Sequence, residues 1–220
     1  MTAIPEIWDD PGQVTEDSVS SGLVLREVPL PVTIRLANPL SDEELLAFCE
    51  ANNGLEIESD ADGSITIMTP AGPESSELTQ ILGAELLVWA RRRENGAVFG
   101  PDLGIRFPDR VLRAPDVAWV SAARWREYKQ QQGAKPGFLP FCPEFVVELR
   151  SRTDRASKIE AKMEFWISRG AQLGWLIDPL RKLAMIYRPG REPETLLQPE
   201  TLNGEGPIAG FALKMQRFWE

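Results

Sequence analysis

The chain has 220 residues, 43% hydrophobic and 26% charged, which fits one globular domain with a sizeable core. A net charge of -9 argues against a nonspecific nucleic-acid binder of the basic-patch kind, and no apolar run approaches the ~20 residues that span a bilayer. With no histidine and two cysteines, Ser-His triads, histidine-ligated zinc and a disulfide framework are excluded, so acid–base and metal chemistry falls to Asp, Glu, Lys and water.

Met1 to about Gly22 carries little periodicity, no basic n-region and no apolar h-region. It reads as a flexible arm ahead of a single domain over 23–220, with the cytoplasm as the default compartment. Val32 to Leu36 predicts a strand. Ser41 and Glu44 form a capping box for a helix that stops near Asn53-Gly54. Leu55–Glu58 and Ile65–Met68 predict a hairpin around an Asp60-to-Gly63 turn. A long helix follows from about Glu74 to Arg93, with Leu78, Ile81, Leu82, Glu85, Leu86 and Trp89 as its inward stripe and Asn95-Gly96 at its end. Arg91-Arg92-Arg93 in its last turn is accounted for by the helix dipole, as are Glu74 and Glu77 in its first; Glu77 is held only as a reserve acid. Ala97–Gly100 and Gly104–Phe107 predict strands, Ala122–Gln132 a helix, and Lys135–Pro143 a loop. Cys49 and Cys142 read as reduced core thiols.

Two apolar runs each carry an acid. Pro115-Asp116-Val117-Ala118-Trp119-Val120 and Glu144-Phe145-Val146-Val147-Glu148-Leu149-Arg150 both predict buried strands. A carboxylate inside such a strand is costly unless paired, and a hard divalent cation is one such partner. Asp116 is either the head of a strand or a turn residue after Pro115. Glu148 is either a metal ligand or the ion-pair partner of Arg150 or Arg113. Ser157 and Glu160 suggest a capping box for a helix running to Arg169. Ile159, Lys162, Met163 and Trp166 fall on its one face, and Lys162 at the stripe's edge is either a snorkelling lysine or one that reaches back to the acids. Leu173–Asp178, Ala184–Tyr187 and Thr195–Leu197 complete the strands, and Phe211 to Trp219 reads as an exposed apolar tail. The order of elements predicts an α/β (α+β) fold, a mixed β-sheet flanked by helices.

Pro115-Asp116 and Glu148-Leu149-Arg150 resemble the motif of the PD-(D/E)xK nuclease superfamily, with Arg150 in the lysine place. The likeness to the Uma2 (DUF820) family of restriction endonuclease-like proteins is closer and spans roughly Ser41 to the C-terminus. It rests on Ile67–Pro70, Val98–Gly100, Ala114–Val120, Phe145–Ser151, Lys162-Met163 and Gly174–Pro179. The resemblance implies a restriction endonuclease-like core and a catalytic set of Asp116, Glu148 and Lys162. It implies Mg²⁺ or Mn²⁺ held by Asp116 and Glu148 with Glu58, whose other reading is a solvated strand charge. Arg150 cannot act as a base, since a guanidinium keeps its proton, and is expected to bind substrate.

The expected activity is metal-dependent hydrolysis of DNA phosphodiesters. The acidic metal site would sit beside a basic rim drawn from Arg106, Arg110 and Arg113 and from Arg150, Arg152, Arg155 and Lys158. The alternative is an inactive nuclease-fold module that binds DNA or protein. The apolar tail and the hairpin edges predict a homodimer.

Overall fold

The computed structural model describes residues 30–132 and 137–220. The predicted arm Met1–Gly22 and part of the Lys135–Pro143 loop lie outside them. In chain order the elements are β1 (Val32–Arg35), α1 (Asp42–Ala51), β2 (Glu56–Ser59), β3 (Ser64–Met68), α2 (Pro73–Arg93), β4 (Gly96–Phe99), β5 (Ile105–Arg106), β6 (Leu112–Arg113) and β7 (Val117–Ser121). Then come α3 (Ala122–Gln132), β8 (Phe145–Leu149), α4 (Ala156–Ser168), β9 (Leu173–Asp178), β10 (Leu183–Tyr187), β11 (Glu194–Leu197), β12 (Thr201–Asn203) and β13 (Ala212–Lys214). No described helix is long and apolar enough to cross a membrane.

The central sheet is mixed, as the sequence predicts, with order β11-β10-β9-β8-β7-β4. Its only parallel pair among the described strands is β8–β9, with Glu148 beside Leu176. Parallel neighbours need a crossover connection, and α4 provides it. The side-chain period of two then sorts the strand residues onto two faces. Phe145, Val147 and Leu149 pack with Leu82, Leu86 and Ala90 of α2, while Val146 and Leu176 pack with Ile159, Met163 and Trp166 of α4. Each of these fully buried large side chains contributes roughly 1.5–3 kcal/mol of transfer free energy. Gly174 lets α4 sit close, because a Cβ there would collide with the Met163 side chain.

Beside the central sheet lies a five-stranded antiparallel one, β1-β3-β2-β6-β5, whose core of Ile65, Ile67 and Leu112 is covered by Leu45 and Phe48 of α1. The capping box of α1 forms as predicted: Ser41 N–H donates to Glu44 Oε2 at 2.8 Å, and Glu44 N–H to Ser41 Oγ at 3.2 Å.

The structure corrects four expectations. The Ser157–Glu160 capping box does not form: Arg155 is the N-cap of α4 and no side chain caps it, because the helix starts two residues earlier than the box requires. Glu85 is exposed and lies outside the stripe of α2. Helix α2 ends through Glu94 in the left-handed region (φ 51°), while Gly96 is needed where β4 presses against the Trp119 indole. The tail is not exposed. Phe211, Leu213, Met215 and Phe218 are buried in the same cluster as Leu82 and Trp175, so the tail closes this chain's own core and gives no support to a dimer.

Candidate active site

Four chain segments meet where the two sheets adjoin. Asp116 stands one residue before β7, Glu148 lies in β8, Glu58 comes from β2 of the second sheet, and Lys162 projects from α4. The strand pairing of β7 with β8 brings the first two together: Val117 is opposite Val147, and Leu149 N–H donates to Asp116 Oδ2 at 2.6 Å. Lys162 lies one turn before Trp166 on the packed face of α4, which points it at the sheet. Its ammonium donates to the Ala114 carbonyl at 2.8 Å and stands 3.3 Å from Glu148 Oε1 and 3.2 Å from Glu58 Oε1. Trp166 donates its indole N–H to the same Glu148 oxygen at 2.6 Å. Arg113 lies 3.4 Å from Glu58 Oε2 and also pairs with Asp60. Asp116, Glu58 and Lys162 line an open cleft together with Glu56, Ala114 and Phe138.

The electrostatics follow from burial. Glu148 is 1% exposed, and removal from water pushes its carboxyl up to about 8. Lys162 opposes that shift, Asp116 adds to it, and the Trp166 hydrogen bond works against it. Asp116 is also raised, first by burial, against the pull of Lys162 and the Leu149 N–H. Glu56 at the cleft mouth is raised by burial and by Asp116. For Lys162 burial works downward, but Glu148, Glu58 and Asp116 together outweigh it and hold the ammonium above its ordinary value. In the metal-free site the lysine is therefore held as a cation.

The acids offer a hard, all-oxygen donor set of the kind Mg²⁺ and Mn²⁺ prefer. Each acid has one oxygen directed by the protein and another still open. Asp116 Oδ2 takes the Leu149 N–H and Glu148 Oε1 takes Trp166 and Lys162, while Asp116 Oδ1 and Glu148 Oε2 accept no hydrogen bond from described residues. Glu58 Oε1 is buried and, although at ion-pair distance from Lys162, accepts no well-aligned hydrogen bond. Among the described residues no three acids are already spaced as a closed metal site, because the Lys162 ammonium stands between Glu58 and Glu148. In chemistry the donor set fits a divalent cation, with the ammonium yielding some of its contacts.

The profile of the Uma2 family, described as "Putative restriction endonuclease", matches residues 42–216. The chain belongs to the Uma2 family. The match covers the stretch over which the sequence resembles it, and all five expected site residues fall inside it. A search of the curated proteins finds no match. Among solved structures, the chain is similar to a crystal structure of a putative nuclease belonging to DUF820 from Anabaena variabilis ATCC 29413, at 19% identity and a TM-score of 0.68, over 82% of this chain and 98% of the other. That likeness shows a shared fold, consistent with the mixed sheet and flanking helices of the Uma2 core.

Arg150 is placed apart from the other four residues. It follows the end of β8, where its guanidinium lies 2.9 Å from Asp178 Oδ2 and donates twice to the Asp154 carbonyl at 3.2 Å. Asp178 is fully buried and also receives Arg181. Asp178 gives the same sequence signal as Glu148, an acid in an apolar strand, yet its charge is met by two arginines. Sequence reasoning passed over Trp166, Glu56 and the Ala114 carbonyl. Trp166 was legible only as a core residue of the α4 stripe, although its spacing of four from Lys162 places both on one patch of surface. Glu56 was legible as the strand neighbour two places before Glu58.

Proposed function

We propose that this protein is a divalent-metal-dependent nuclease that hydrolyses phosphodiester bonds in DNA. The observation that carries the reading is the convergence of Asp116, Glu148 and Glu58, from three separate strand regions, around one half-buried ammonium at an open cleft. Acids clustered in this way, with Asp116 and Glu148 raised by burial, are what a cation-binding site looks like before the cation neutralises it. Asp116 and Glu148, with Glu58, would hold Mg²⁺ or Mn²⁺. Such an ion supplies Lewis-acid polarisation of a phosphoryl oxygen and a more acidic bound water. Leu149 N–H and the Trp166 indole keep the two carboxylates oriented. Lys162 keeps its proton and presents a positive charge toward the oxygens that gain charge in the transition state. Arg150 has a structural part, bracing the 151–154 loop through the Asp154 carbonyl and pairing with Asp178.

We also infer a homodimer, now resting on the open edge of β11, where Leu197 is 78% exposed; a monomer in micromolar sedimentation runs would refute it.

Supercoiled plasmid tests the main reading. Metal-stripped protein should leave it intact, added Mn²⁺ should produce nicked and linear forms, and Asp116→Ala should abolish them. Wild-type protein that never cuts DNA with either ion would overturn the reading.

A further inference from the structure

Trp166 is fully buried, and its indole N–H is committed to Glu148 Oε1. Burying an indole does not by itself demand such a bond here. Trp89, Trp119 and Trp175 each keep a buried Nε1 with no hydrogen-bond partner among the described residues. The bond of Trp166 is thus a matter of placement. At 2.6 Å it is a close contact for a nitrogen donor. Lys162, one turn earlier on the same helix, approaches the same oxygen at 3.3 Å. Oε1 is held from two directions and Oε2 from none.

The two donors differ in consequence. An ammonium on Glu148 both orients the carboxylate and cancels its charge, which works against a competing cation. An indole N–H orients it and leaves the full charge in place. We propose that Trp166 is a positioning residue: its N–H fixes Glu148 Oε1 so that Oε2 is offered as the ligand oxygen to a divalent cation. The proposal rests on the metal-site reading of Glu148 given above. Without the indole donor the carboxylate can turn about its terminal torsion, which is soft, and give both oxygens to Lys162. Loss of an orienting partner behind a metal ligand typically weakens metal binding by about 10–100-fold.

The test uses the full chain in two arms. In the first, tryptophan-labelled, metal-free protein is observed by ¹H–¹⁵N correlation spectroscopy at about pH 9, where Glu148 is ionised. Replacing the carboxylate acceptor with a neutral amide in Glu148→Gln should shift one downfield indole resonance upfield and leave the others in place. In the second, Mn²⁺ is titrated calorimetrically into wild type and Trp166→Phe, whose ring keeps most of the packing without the donor. Mn²⁺ affinity should fall about tenfold or more. If Trp166→Phe fails to fold, the spectroscopic arm decides alone, since it needs no change at Trp166. The proposal is overturned if no indole resonance responds to Glu148→Gln, or if folded Trp166→Phe binds Mn²⁺ as tightly as wild type. Wild-type protein that binds no Mn²⁺ while its indole resonance responds would sink the metal reading, and with it the ligand role of Oε2, and that pattern differs from failure of the Trp166 bond.

Discussion

Replacing Glu148 with Gln should change how stability depends on pH, with a sign fixed by the structure. Glu148 is pushed up to about 8 in the folded chain, from an ordinary value of 4.5. Between those values the native state holds a proton that the unfolded state has released. Stability therefore falls as pH rises through this window and is fully retained below it. At about 1.4 kcal/mol per unit, the upper limit is roughly 5 kcal/mol, and about 2–4 kcal/mol should be seen between about pH 5 and pH 8. The window is a quiet one. The chain has no histidine, and burial pushes the Cys49 and Cys142 thiols up to about 11 and about 12. Asp116 and Glu56 are raised in the same sense, so a smaller slope remains after Glu148 is removed. The assay is urea unfolding in EDTA at closely spaced pH values. The wild-type midpoint should drop by about 1 M or more across the range, given slopes of about 1–3 kcal/mol per M. Glu148→Gln should flatten most of that change and be the more stable protein at about pH 8. An equal slope in wild type and variant would refute the account of Glu148 as a buried acid raised by its surroundings.

Three further outcomes are expected. Mn²⁺ must displace the proton on Glu148, so its affinity should strengthen up to about tenfold per pH unit as pH rises toward 8, by calorimetry; an affinity flat with pH would count against Glu148 as ligand. Lys162→Met should lower single-turnover cleavage by about 10²–10³-fold while Mn²⁺ binding stays near wild type or tightens, since the ammonium no longer stands between Glu58 and Glu148; unchanged turnover would remove Lys162 from the mechanism. Arg150→Ala strips one of two arginines from the fully buried Asp178, so a loss of about 3 kcal/mol in unfolding experiments is expected, with DNA affinity of the folded fraction little changed; a large affinity loss without destabilisation would return Arg150 to direct substrate contact.

Much of this was legible in the sequence because the signals were local. The Ser41 capping box and the hairpin around Asp60 to Gly63 each state their own geometry over a few residues, and the acids in apolar strands stand out as carboxylates that need a partner. The approach of Lys162 to Glu148 was readable too, since helical spacing put it beside Ile159 and Trp166. What was hidden depended on partners distant in sequence. Nothing in the chain around Asp178 distinguishes it from Glu148; only the approach of Arg150 and Arg181 does. The apolar tail read as exposed because the face it covers, shared with α2, is assembled from strands tens of residues away. The same holds for the state of Lys162. Burial alone suggests an ammonium poised to lose its proton, and three converging carboxylates reverse the sign.

The claim at the centre of the account is that Asp116 and Glu148, with Glu58, are the ligands of a divalent cation. The most direct measurement is an anomalous difference map from crystals of the wild-type protein soaked in Mn²⁺. The account predicts one strong peak within bonding distance of Asp116 and Glu148 carboxylate oxygens, with Lys162 Nζ drawn away from at least one of its present acid partners. A fully soaked crystal with no peak there, or with its strongest peak elsewhere and the Lys162 contacts intact, would contradict it.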